Sequence, residues 1–170
     1  MDVIPNAVVA LFDKIGPAVL ITHSQSGVPG WITAIRSQNV KAIIAYEPNL
    51  VFPEGEVPGG YDLFRRRGGL SVSPADFAKL TKIPIQIVFG DNIPTSPSPI
   101  PGLEFWRGLF KKTEQFRDAV NRRGGQVSIL HLPDVGLFGN THFPFSDLNN
   151  LKVADLLSQY LHDKGLDKAR

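Results

Sequence analysis

The sequence predicts an α/β fold, a parallel sheet of about four strands with flanking helices, resting on three observations. Short apolar runs at 18–22, 41–46, 85–89 and 126–132 read as strands, the first two buried on both faces. Segments with helical spacing of apolar residues alternate with them. Strands separated by helices pair in parallel through right-handed crossovers. A length of 170 residues fits one domain over 1–170, and 42% hydrophobic with 20% charged residues excludes wholesale disorder.

The elements follow in order. Val3 to Ile15 carries apolar residues at 4, 8, 11, 12 and 15, and Gly16-Pro17 stops that helix. Ala18 to Thr22 is the first strand, and Val28 to Ser37 a helix with Trp31 and Ile35 on one face. Lys41 to Tyr46 is the second strand. Residues 49–82 are rich in Gly and Pro and hold one short helix, Ser73 to Leu80, with Ser73 as cap and Pro74 at its start. Ile85 to Phe89 is the third strand. The proline-rich stretch 93–101 is a rigid extended loop. Leu103 to Arg123 is a long amphipathic helix closed by Gly124-Gly125, Gln126 to Leu132 the fourth strand, and Asp147 to Asp163 the last helix.

Composition excludes several kinds of chemistry. The absence of cysteine removes disulfides, thiolate zinc sites and cysteine nucleophiles. Eighteen basic against 16 acidic residues leave a net charge of +2, too small to argue for nucleic acid. The basic runs Arg65 to Arg67, Lys111-Lys112 and Arg122-Arg123 read as solvated surface. No apolar run reaches the roughly 18 residues of a membrane helix, and the first residues do not read as a secretory signal. Neither a metal nor an organic cofactor is implied: no ligand spacing, G-x-G-x-x-G or P-loop is present.

The first strand runs into Thr22-His23-Ser24-Gln25-Ser26-Gly27, and a helix begins at once. A serine at the apex of a strand–turn–helix needs small neighbours, because bulky side chains at 22 or 26 collide across the turn. The Gln25 N–H and the helix start then face whatever approaches Ser24, which suits an oxyanion. The same turn also fits a serine cap, or a phosphate cradle of the flavodoxin kind. Of four histidines, His23 adjoins the serine and reads as structural, His131 alternates within a strand, and His162 lies near the end of a helix. His142 sits in the glycine-rich loop 136–142 at the carboxyl end of the sheet, where active sites of open α/β sheets collect. It is the candidate base. Two carboxylates end strands at that same edge, Glu47 and Asp91, and spacing does not choose between them.

The order serine, acid, histidine along successive parallel strands resembles the α/β-hydrolase superfamily. Thr22 to Gly27, Tyr46-Glu47-Pro48, Val88 to Asp91, Gly139 to His142 and Asn149 to Leu156 are similar, in that order, to segments of an Alcaligenes-type group of bacterial esterases. The resemblance implies a serine hydrolase acting on carboxylic esters through an acyl-enzyme, with Ser24 as nucleophile, His142 as base and Glu47 as acid. It leaves Asp91 as a structural or alternative acid. Thr22 and Ser26 depart from the two glycines of G-x-S-x-G.

In that superfamily several strands precede the elbow, and one of their loops supplies a second oxyanion N–H. Here one helix precedes it, so the expectation is the carboxyl-terminal half of a hydrolase. Its bare strand edge at 18–22 would take a completing chain or a second copy, and a non-catalytic interaction module is the alternative function. Trp31, Phe52, Tyr61, Phe138 and Phe143 are candidate walls of a substrate pocket, beside the 93–101 loop.

Overall fold

The computed structural model describes residues 2–59 and 69–168, which leaves Tyr61 and the Arg65 to Arg67 run outside the described residues. In chain order it contains α1 (Val3–Ile15), β1 (Ala18–His23), α2 (Gly27–Arg36), β2 (Val40–Tyr46), β3 (Val51–Pro53) and β4 (Leu70–Val72). There follow α3 (Pro74–Lys79), β5 (Pro84–Phe89), α4 (Pro101–Asn121), β6 (Gln126–His131) and α5 (Asn150–Asp163). The main sheet has the order β1-β2-β5-β6 and every pairing is parallel. Each strand is laid beside the previous one in the same direction, so right-handed crossovers put the connecting helices on one face.

Packing follows that topology. Alternate strand residues Ile43, Ala45, Ile85, Ile87 and Phe89 face α1 to α4, where Phe12, Trp31, Phe77 and Phe116 complete the larger core. The Phe116 ring meets Trp31 at 5.1 Å and Phe77 edge-on at 5.8 Å. Burying side chains of this size contributes roughly 1.5–3 kcal/mol each before the entropy of ordering them is subtracted. The intervening residues Ala42, Ile44, Tyr46 and Val88 point to the other face, against Val153 and Tyr160 of α5. Burial there pushes the Tyr160 hydroxyl up to about 12.

Local signals behave as expected in several places. Ser73 Oγ accepts the Asp76 N–H at 3.1 Å and caps α3, whose first residue is Pro74. Gly16, at φ +84°, terminates α1 and donates its N–H to the Phe12 carbonyl at 2.8 Å.

Three expectations are corrected. The segment 49–82 holds more than a short helix, because β3 and β4 form a separate two-stranded parallel sheet. Each strand is three residues long, too short for period-two alternation to register in the sequence. The last helix starts at Asn150 rather than Asp147, since Asp147 and Asn149 spend their side chains on the preceding loop. Trp31 (0% exposed) and Phe52 (1%) are buried in the larger core, packed with Phe116 rather than beside His142.

Candidate active site

Three non-glycine residues among those described have positive φ: Ser24 at +54°, Glu47 at +43° and Asn92 at +64°. Each follows the carboxyl end of a strand of the main sheet, β1, β2 and β5 respectively. Left-handed backbone at a residue with a β-carbon costs on the order of 1–3 kcal/mol, so surrounding contacts must impose it.

At Ser24 those contacts are visible. His23 N–H donates to Ser26 Oγ at 2.8 Å and Ser26 Oγ–H returns to the His23 carbonyl at 2.7 Å, closing the turn on itself. The Ser24 carbonyl accepts the Asn49 N–H at 3.1 Å, and Trp31 Nε1 donates to the Asn49 carbonyl at 2.8 Å. The turn after β2 is thereby bolted to the turn after β1. Gly27 permits the approach: a β-carbon there would lie 2.6 Å from both the Asn49 oxygen and Pro48 Cβ. Ser24 is half-buried, and its hydroxyl makes no hydrogen bond to the described residues. Gln25, exposed, follows in a short 3₁₀ turn that leads into α2, where first-turn amides have no intrahelical acceptor.

Glu47 is 4% exposed, and both carboxylate oxygens are used. Oε1 accepts the Gly90 N–H at 2.8 Å; Oε2 lies 2.5 Å from His142 Nδ1. That contact suits the neutral imidazole tautomer with its proton on Nδ1, in which Nε2 keeps its lone pair. No described residue bonds that Nε2. Gly90 makes room for the arrangement, since a β-carbon there would sit 2.6 Å from the Thr141 carbonyl oxygen and 3.1 Å from Glu47 Oε1.

Asp91 is occupied elsewhere. Its carboxylate accepts the Gly139 N–H at 2.8 Å and the Asn92 N–H at 2.5 Å, while its own N–H donates to the Asn140 carbonyl at 2.9 Å. Those two backbone donors hold the Asp91 carboxyl below the usual range. The structure thus brings Glu47 to the histidine and sets Asp91 against the backbone of the histidine loop.

The remaining histidines separate clearly. His23 Nε2 donates to the His142 carbonyl at 2.8 Å, and the two rings lie 4.4 Å apart. His131 bonds Asp134 at 3.3 Å within its own turn, and His162 is exposed and paired with Asp167 at 2.8 Å. The aromatic surroundings of His142 are Phe143 at 5.2 Å, with its ring half exposed, and Trp106 of α4 at 4.7 Å. Phe145 packs edge-on against His23 at 5.0 Å. Trp106 and Phe145 were not foreseen from sequence. Trp106 lies within an amphipathic helix that reads as ordinary packing, and only the fold carries that helix to the histidine. Phe138 is exposed and makes no ring contact with His142 among the described residues. Also among the described residues, no three histidine or carboxylate groups converge as metal ligands, and no helix is long and apolar enough to cross a membrane.

No family model matches the chain. It is 26% identical over 178 residues to a probable secreted lipase of Fungal sp. (strain ATCC 74256), covering 89% of this chain and 48% of the lipase. Its structure superimposes on that of a bacterial esterase solved at atomic resolution with a TM-score of 0.70 and 30% identity, covering 94% of this chain and 42% of the esterase. The chain thus spans somewhat under half the length of each of these two relatives. What it shares with them is an α/β-hydrolase-like fold of the esterase and lipase kind.

Proposed function

We propose that this chain carries the catalytic centre of a serine hydrolase acting on carboxylic esters. The observation that carries the proposal is the bond from His142 Nδ1 to the buried Glu47 carboxylate, beside a serine held at φ +54° on the neighbouring strand. Likeness to an esterase and a lipase supports the same reading.

In this mechanism Ser24 Oγ attacks the ester carbonyl carbon while His142 Nε2 takes its proton. Glu47 keeps the ring in the tautomer that leaves Nε2 basic and stabilises the imidazolium once formed. The negative charge that develops on the carbonyl oxygen faces the Gln25 N–H and the start of α2. The C–O bond to the leaving group breaks, His142 returns the proton to the departing alkoxide, and Ser24 is left acylated. Water, deprotonated by the same Nε2, attacks the acyl carbon, and the serine oxygen leaves with the proton. No step calls for a metal or an organic cofactor.

The test is intact-mass spectrometry after incubation with a fluorophosphonate, followed by peptide mapping. A single adduct on Ser24, absent from Ser24→Ala, is the expected result. An unlabelled but folded chain, or an adduct on another residue, would overturn the proposal.

A further inference from the structure

Resting on the reading of His142 as base, we infer that Asp147 is a positioning residue that sets where the His142 ring stands. Ring contacts surround His142, but its backbone is an exposed loop that must be held by something other than a core. Thr141, the preceding residue, gives both of its donors to Asp147: its N–H to Oδ2 at 2.7 Å and its hydroxyl to Oδ1 at 3.0 Å. The Thr141 hydroxyl oxygen in turn accepts the Phe143 N–H at 3.1 Å, on the other side of His142. Asp147 therefore grips both residues that flank the histidine, one directly and one through a shared hydroxyl.

The grip is fixed at its far end. Asn140 is fully buried, and its side-chain amide exchanges bonds with that of Asn149 at 2.6 and 2.9 Å. Its Nδ2 also approaches Asp147 Oδ2 at 3.4 Å. Asn149 adjoins the first residue of α5, and the Asn150 N–H donates to the Asp147 carbonyl at 3.0 Å. The loop 139–150 thus closes into a ring of side-chain bonds mounted on α5, and Asp91 braces its entry at Gly139. Nothing else among the described hydrogen bonds ties Thr141 N–H or Oγ to the body of the protein.

A loop shifted by about 1 Å costs on the order of 100-fold in rate when it carries a reacting group. The experiment follows the His142 Nδ1 proton by NMR on ¹⁵N-histidine-labelled protein, assigned by its absence in His142→Gln, alongside the fluorophosphonate labelling rate. In Asp147→Ala the downfield Nδ1–H signal is expected to be lost to exchange, and the labelling rate to fall roughly 100-fold. Asp147→Asn, which can still accept the Thr141 N–H and donate to its hydroxyl, should restore the signal and most of the rate. Thr141→Val, which lacks the shared hydroxyl and keeps the N–H, should fall between them.

Retention of the signal in Asp147→Ala, or failure of Asn to restore what Ala removes, would overturn the inference. Should Asp147→Ala not fold, the ordering of Asp147→Asn above Thr141→Val decides it. The proton signal does not depend on turnover. A wild-type chain that shows the signal but takes no label would defeat the esterase reading and leave the positioning role to be judged by the variants alone.

Discussion

Ile21 of β1 and Ile44 of β2 are register partners on neighbouring parallel strands, yet their surroundings are opposite. Ile44 is fully buried beneath α5, whereas Ile21 is 53% exposed. Beside Ile21 runs a groove of about 560 Å³, lined by Tyr46, Phe145, Leu151, Val153 and Leu157. The cluster beneath the helix that covers the second face takes in Val19 of β1 but leaves Ile21 open to the groove. Apolar content alone therefore does not make a core; a strand needs a layer over it and a neighbour beside it. The candidate site straddles this boundary, with its acid on the buried strand and its serine on the bare one.

Substitutions sharpen the contrast, and the largest effect is expected on catalysis. Glu47→Gln keeps an acceptor for the Gly90 N–H but presents an amide donor to His142 Nδ1, forcing the tautomer whose Nε2 is protonated. Ester turnover should fall on the order of 10²–10⁴-fold with little change in melting temperature, measured by initial rates and calorimetry. Ile44→Ala should cost about 2–5 kcal/mol in denaturant titration. Ile21→Ala, its partner, should stay within about 0.5 kcal/mol of the parent; a similar cost for both would break the comparison.

Gly90→Ala comes next, since the new β-carbon meets backbone oxygen and the Glu47 carboxylate together. About 1–3 kcal/mol of stability should go, along with the His142 bond. A smaller effect is expected at Asp91. Its folded carboxyl titrates below the ordinary value, so its contribution is present above that value and lost as pH falls through the lowered one. Acid titration of the wild type should show a loss of stability in that window which Asp91→Asn does not show. Smallest of all, Ile21→Lys should leave the melting temperature unchanged. By sedimentation it should reduce any self-association through the β1 edge, because an edge charge opposes strand pairing.

Much of this was legible in the sequence, for identifiable reasons. The helix at Val3–Ile15 was bounded by helical spacing and a Gly-Pro stop. The four main strands stood out as short apolar runs between punctuation, and their alternation with helices gave parallel pairing. Ser24 and His142 were marked by turn chemistry and by position at the carboxyl edge of the sheet. The choice of acid was not legible from spacing, because Glu47 and Asp91 both follow strands at that edge. What separates them is a 2.5 Å contact on one side and two backbone donors on the other. The bonding of Asp147 was hidden for a similar reason. The sequence places Asp147 at the start of the last helix, and only the folded loop shows its carboxylate turned back to Thr141.

The methyl group of Thr22 lies where a side chain at position 30 would begin, because a β-carbon built on Gly30 would come within 2.5 Å of Thr22 Cγ2. The two residues therefore share one fixed volume between β1 and α2. A glycine at 22 would leave that volume for an alanine at 30, and the turn could keep its shape with the roles exchanged. Each single change alone should be penalised, Thr22→Gly by a void and Gly30→Ala by a clash, while the double exchange recovers much of both losses. Residue types at 22 and 30 are thus coupled through a sum of sizes and are not chosen separately.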